Sequence, residues 1–163
     1  MSLARLGVDV PWIGRVGDDS LGRRVLRELR SEGVRVIPTI DIDYPTGLLV
    51  KETSSSGRTR KSYYRRESAG SRLSDAEVDA AKLDADTLVH LTGITPALSA
   101  TAKSAAFRRL DRAEEAGSPI SFDVNHRGRL RNAEEAGAVN RSIATRADIV
   151  FASLEKVSLL LAG

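Results

Sequence analysis

The sequence predicts an α/β fold, a mostly parallel sheet flanked by helices with a small β-rich insertion near its N-terminal end. Three observations predict it. From Ser74 onward, short apolar stretches of strand length alternate with stretches of helical length, the rhythm of βαβ units. Between Val34 and Arg72 that rhythm gives way to three short β-prone runs separated by turn residues. Finally, 163 residues with 41% hydrophobic and 29% charged side chains suit one ordinary globular domain rather than a disordered chain.

Taken in order, Leu3, Ala4 and Leu6 before Gly7 read as the last turn of a helix with its glycine cap. Six residues do not make a stable helix alone, so the chain is expected to begin inside an element whose start is missing. Val8–Val16 reads as a buried strand, and Gly17-Asp18-Asp19 as a turn in which Asp19 or Ser20 caps the next helix. That helix is predicted over Leu21–Glu32, with Val25, Leu26 and Leu29 on one face and Gly33 as its stop. Residues 34–40, 46–53 and 59–65 are β-prone, and Ser54-Ser55-Ser56-Gly57 between the last two marks a hairpin. Ser74-Asp75-Ala76-Glu77 fits a capping box. Strands follow at 87–91, 119–124 and 148–151, and helices at 99–116, 133–146 and 154–161.

Composition removes several classes of function. The 25 basic and 22 acidic residues leave a net charge of only +3, spread along the chain, which does not by itself argue for a nucleic-acid or membrane partner. There is no cysteine, so disulfides, thiolate zinc sites and cysteine nucleophiles are excluded. His90 and His126 are the only histidines, too few for a histidine metal site. His90, inside an apolar run, is expected in the core, and His126 at the surface. No apolar run approaches the ~18 to 20 residues of a membrane span, and the N-terminus lacks the hydrophobic region of a signal peptide. A cytoplasmic setting is expected.

Two clusters offer chemistry. On the second arm of the hairpin, alternation puts Tyr63 and Arg65 on one face and Tyr64 and Arg66 on the other. A guanidinium beside an aromatic plane suits a small anionic sugar, gripping a carboxylate while the ring covers the carbon chain. The same residues also fit a solvated edge strand protected by its charges. Ligands of open parallel sheets sit at the carboxyl ends of strands, which points to residues 92–96 and 125–129. There Asp123, Asn125 and Arg127 offer converging polar groups, although a polar strand-ending turn has the same appearance. Gly14-Arg15-Val16-Gly17-Asp18-Asp19 is glycine-rich ahead of a helix, but it lacks the Gly-Lys-Ser/Thr of a phosphate loop and the spacing of a dinucleotide fingerprint.

Together these stretches carry a resemblance. Leu3-Ala4-Arg5-Leu6-Gly7, then Gly14 to Asp19 with Gly22, then Gly33-Val34, resemble the N-terminal signature of the PfkB (ribokinase-like) sugar kinases. Pro45-Thr46-Gly47-Leu48, Tyr63-Tyr64-Arg65 with Ser68-Ala69-Gly70, the run from His90 to Leu98, and Asp123 to Arg127 are similar to the 2-keto-3-deoxygluconate kinase subgroup. The resemblance implies a ribokinase-like fold, incomplete at both ends, with a β-sheet lid that also makes homo-oligomer contacts. Lid segments would lie near 8–16 and 34–72, and the α/β portion near 17–33 and 73–163. It implies phosphoryl transfer from ATP, with Mg2+, to a hydroxyl of a sugar acid. Tyr63, Arg65, Ile94 and Arg127 would line the substrate site, with Asp123 and Asn125 supporting it.

The chain also departs from the family pattern. No Gly-Ala-Gly-Asp segment, which carries the catalytic aspartate in the family, occurs in the 163 residues, so this piece alone is expected to be inactive. Leu49 stands where a tyrosine is common. In Ser153-Leu154-Glu155-Lys156 the carboxylate falls one position early, so Glu155 is not assigned to metal. Two other readings stay open: a non-catalytic sugar-binding or regulatory module, and a kinase for fructose, ribose or a nucleoside. A single-strand nucleic-acid binder built on Arg58, Arg60, Lys61, Arg65, Arg66 and Arg72 is disfavoured by Glu67 and Asp75 within the patch.

Overall fold

A computed structural model of the chain describes residues 1–55, 57–126 and 133–161. They fall into two compact units, Met1–Leu73 and Ser74–Gly163.

In the first unit, α1 (Ser2–Arg5) ends at Leu6, and Gly7 takes the left-handed conformation at φ 84° expected of a glycine stop. Strand β1 (Pro11–Gly17) and strand β2 (Arg35–Asp41) pair in parallel, from Pro11 opposite Arg35 to Gly17 opposite Asp41. Helix α2 (Ser20–Ser31) crosses between them. The run at 34–40 therefore finds its partner in β1 and not in the hairpin. Val8 and Asp9, expected in the first strand, are exposed and lie outside it, because pairing with β2 begins only at Pro11.

Helix α2 buries Gly22 and Leu26, while Arg23, Arg24 and Arg27 stay exposed. Its boundaries lie within one residue of the pattern, and of the two candidate caps it uses Asp19, whose Oδ1 accepts the Gly22 amide at 2.7 Å. Strands β3 (Leu48–Thr53) and β4 (Thr59–Tyr64) form the predicted antiparallel hairpin, with Leu49 opposite Tyr63. A 3-10 turn at Ala69–Arg72 follows, which the sequence pattern did not show.

The second unit opens with α3 (Asp75–Asp79). The capping box is present, with the Ser74 amide 2.9 Å and the Ser74 hydroxyl 2.6 Å from the Glu77 carboxylate. Then come β5 (Val89–Thr92), α4 (Ala100–Ala116), β6 (Ile120–Asp123), α5 (Ala133–Ala144), β7 (Ile149–Phe151) and α6 (Leu154–Leu161). The three strands are parallel in the order β5-β6-β7. Ser99 caps α4 by accepting the Ala102 amide at 3.0 Å, and Gly117 at φ 66° ends it. Strand β5 starts two residues later than expected because Thr87 is held in a turn, its amide 3.1 Å from the Asp84 carbonyl.

Val89, Leu110, Ala113, Ile120, Phe122, Val124, Val139 and Ile143 form the core of this unit. Burial of each large side chain among them contributes roughly 1.5–3 kcal/mol. His90 is not part of this core. Alternation puts it on the face opposite Val89 and Leu91, where it is exposed, with Nδ1 2.8 Å from the Ser121 hydroxyl and its ring edge-on to Phe151. His126 is half-buried. Among the described residues, no helix is long and apolar enough to cross a membrane.

Candidate functional site

The site is built from the base of the hairpin upward. Residues 41–47 carry the chain from β2 into β3, and each end of this segment is tied to the β1–α2 corner. At the first end, the buried Asp41 carboxylate accepts Arg15 Nε at 2.7 Å and the amides of Asp43 and Tyr44 at 3.0 Å. Burial pushes this carboxyl up, but the two amides and the guanidinium outweigh it and hold it below the ordinary carboxylate range. At the other end, Asp19 Oδ2 accepts the Thr46 amide at 2.7 Å, and Thr46 Oγ1 accepts the Gly17 amide at 2.9 Å.

The same base receives the chain returning from β4. The Ala69 amide donates to the Pro45 carbonyl at 2.8 Å, and the Ser68 hydroxyl donates to the Arg65 carbonyl at 2.9 Å. A Cβ on Gly47 would stand 3.2 Å from both Arg65 Cβ and Ser68 Oγ, so glycine lets these two stretches touch. Arg65 is consequently fixed at its backbone.

From that base, Arg65 lays its guanidinium over the Tyr63 ring, 4.5 Å from the ring centroid. Stacking of this kind is worth about 0.5–2 kcal/mol and orients the planar fork. Arg65 Nε is buried and has no hydrogen-bond partner, whereas Tyr63 is 37% exposed. A buried N–H without an acceptor costs about 1–3 kcal/mol, and more on a charged group, so it presents an unmet demand for an acceptor. The two residues expected to act together on the hairpin are therefore in contact with each other. A second cation–π pair, Arg72 over Tyr44 at 4.4 Å, braces the segment after the hairpin against the one before it.

In the second unit, the ends of β5 and β6 bring three more of the expected residues to one sheet edge. Ile94, half-buried, lies in the turn after β5, directly after Gly93, whose amide donates to the Asp123 carbonyl at 2.9 Å. A Cβ on Gly93 would strike the Val124 carbonyl, so the turn after β5 packs directly on the strand end beside it. The Asp123 carboxylate accepts the Asn125 amide at 3.0 Å, and Asn125 adopts φ 30°, a left-handed conformation that asparagine tolerates. Asp123 is thus engaged in shaping the loop. Arg127 lies outside the described residues.

Sequence reasoning singled out Asp19 as a helix cap and Pro45-Thr46-Gly47 as a motif, but it did not join them. The available signal was the pair Gly17 and Gly22, flanking a caps-ready aspartate, since two glycines so placed ask what backbone approaches them. Among the described residues, no group of three or more His, Asp or Glu side chains is placed to hold a metal ion. The glycine-rich stretch from Gly14 to Asp19 lacks the Gly-Lys-Ser/Thr of a phosphate loop.

Comparison with known proteins adds independent findings. The profile of the pfkB family carbohydrate kinases matches residues 1–162. A 2-dehydro-3-deoxygluconokinase of Bacillus subtilis (strain 168) is 43% identical over 131 residues, covering 78% of this chain and 40% of that protein. A 2-dehydro-3-deoxygluconokinase of Thermoproteus tenax is 39% identical over 127 residues, covering 76% of this chain and 38% of its own. Among solved structures, the 2-dehydro-3-deoxygluconokinase of Thermotoga maritima superposes with a TM-score of 0.86 at 26% identity, over 99% of this chain and 50% of that one. The chain thus spans half or less of the length of these relatives.

Proposed function

Because the chain belongs to the pfkB family of carbohydrate kinases, we propose that it is the sugar-binding part of a kinase for a sugar acid of the 2-dehydro-3-deoxygluconate type. The observation that carries this reading is the Arg65 guanidinium stacked on the exposed Tyr63. A neutral sugar would meet that guanidinium with a hydroxyl. A carboxylate meets it with a charge-assisted bond roughly twice as strong, and its two oxygens match the guanidinium fork. The names of two relatives that are 43% and 39% identical support the same substrate class.

The residues have separable roles. Arg65 binds the carboxylate and sets the direction in which the sugar lies. Tyr63 covers the carbon chain and holds the guanidinium plane. For the second unit, the family resemblance supports Ile94 and Arg127 as substrate-binding residues, with Asp123 and Asn125 shaping the loop after β6 in support. ATP supplies the phosphoryl group in this family and Mg2+ neutralises its charge. What these residues add is positioning, since phosphoryl transfer leaves the protein mainly the tasks of orientation and charge stabilisation. No catalytic residue is assigned, because no Gly-Ala-Gly-Asp segment occurs in the 163 residues. The chain alone is expected to bind the sugar acid without phosphorylating it. The hairpin is the lid of this reading, and its second face is the contact surface of a homo-oligomer.

Titration calorimetry of the chain with 2-dehydro-3-deoxygluconate, fructose and ribose tests the substrate class. The acid is expected to bind at least tenfold tighter than either neutral sugar. Equal affinities, or tighter binding of ribose or fructose, would reject it.

A further inference from the structure

We infer that Asp19 is a positioning residue whose two carboxylate oxygens clasp the start of α2 to the segment entering the hairpin, thereby fixing where Arg65 stands over Tyr63. For its ligand the inference rests on the sugar-acid reading above.

A helix cap needs one oxygen, and Asp19 Oδ1 provides it to the Gly22 amide at 2.7 Å. The second oxygen is not left to solvent. It accepts the amide of Thr46, 27 residues away, at the same 2.7 Å. Thr46 answers by accepting the Gly17 amide on its hydroxyl at 2.9 Å, so the two segments are tied in both directions.

The glycines fit a tie of this kind and little else. A Cβ at position 17 would stand 2.6 Å from Asp19 Oδ2, 2.7 Å from the Thr46 nitrogen and 2.8 Å from the Tyr44 carbonyl. A Cβ at position 22 would strike the Gly17 carbonyl and lie 2.9 Å from Thr46 Oγ1. Each approach involves backbone atoms together with a side chain of the clasp, Asp19 at Gly17 and Thr46 at Gly22, and neither is required to start a helix.

From the clasp to the binding residue the path is short. Thr46 precedes Gly47, where a Cβ would meet Arg65 Cβ at 3.2 Å, and follows Pro45, whose carbonyl holds the Ala69 amide at 2.8 Å. Freeing Thr46 loosens the stretch on which the Arg65 backbone rests, and with it the stacking on Tyr63. The Thr46 and Gly22 amides also hold the Asp19 carboxyl below its ordinary range, so near neutral pH the clasp carries a full charge.

The cap and the clasp can be separated by substitution. Serine caps helices with a single oxygen, so Asp19→Ser keeps the first role and loses the second, whereas Asp19→Ala loses both. Thr46→Ser keeps the clasp. Three readouts are taken on each variant by NMR and calorimetry: amide exchange at Gly22 and Thr46, the ring-current shift of the Arg65 side-chain protons, and the affinity for 2-dehydro-3-deoxygluconate. In Asp19→Ser we expect unchanged exchange at Gly22 and at least tenfold faster exchange at Thr46. The Arg65 protons should move toward their unstacked shifts, and the sugar acid should bind five- to twentyfold more weakly. Thr46→Ser should match the parent.

The inference is overturned if Asp19→Ser protects Thr46 as the parent does. It is equally overturned if Thr46 is freed while Arg65 keeps its ring-current shift. Should the parent chain bind no sugar acid, the substrate reading falls, and the exchange and ring-current data still decide the clasp.

Discussion

Asp19 was legible in the sequence as a cap and illegible as a clasp, because capping is a local pattern whereas Thr46 reaches it only through the fold. Its carboxyl is held down chiefly by the Thr46 amide and then by the Gly22 amide. A depressed folded-state pKa stabilises the protein above the unfolded value, and that contribution is lost as pH falls through the folded value. The stability difference between the parent and Asp19→Ser is therefore expected to be constant from neutral pH down to about 4, the ordinary aspartate value, and to shrink below it. Denaturant titrations at pH 7, 5 and 3 measure it, and a difference that grows toward pH 3 would contradict the assignment. His90 shows the opposite limit of local reading. An apolar neighbourhood in sequence suggested burial, but a strand has two faces, and only knowledge of which one meets α4 and α5 puts Val89 inside and His90 outside.

At the scale of elements, helices were read most closely because their ends carry chemical marks. Asp19, Ser99 and Ser74 start three of them, and Gly33 and Gly117 stop two with left-handed backbones. Strands β1 and β5 begin later than their apolar residues suggest, since a strand starts where a partner starts. The 3-10 turns at Ala69–Arg72 and Thr95–Ala97 follow no periodicity that a short sequence window shows. Strand β6 is the element on which the second unit depends most. It pairs on both sides, and Ile120 and Phe122 are almost wholly buried. Phe122→Ala is expected to destabilise by about 3–5 kcal/mol, the range for removing a fully buried aromatic. A loss below 1 kcal/mol in a denaturant melt would show that this strand does not hold the core.

Among the described residues, one run of exposed apolar side chains lies on a strand at a sheet edge. Strand β7 lies at the end of its sheet, and Ile149, Val150 and Phe151 are 47%, 40% and 55% exposed, with Leu154 beyond them at 93%. An exposed apolar edge strand pairs readily with other chains. The chain is expected to self-associate, and the double substitution Ile149→Lys and Phe151→Lys to reduce the association. Light scattering over a concentration series checks this, and a parent chain that stays monodisperse and monomeric would contradict it. At this scale the sequence conveyed the class of fold through its alternation of helix and strand, and the family through motifs spaced along nearly all of its length. It could not convey which residues of separate motifs touch, because the Arg65 stack and the Asp19 clasp depend on contacts made across turns.

The central claim is that the Arg65 guanidinium, laid over Tyr63, recognises the carboxylate of the sugar. Calorimetry with the parent and Arg65→Met, each titrated with 2-dehydro-3-deoxygluconate and with the analogue in which the carboxylate is reduced to an alcohol, tests it most directly. Loss of a charge-assisted bond of about 1.5–3 kcal/mol predicts that Arg65→Met weakens the acid roughly ten- to a hundredfold. The alcohol should be weakened by threefold or less. An equal loss for both ligands, or none for the acid, would contradict the claim.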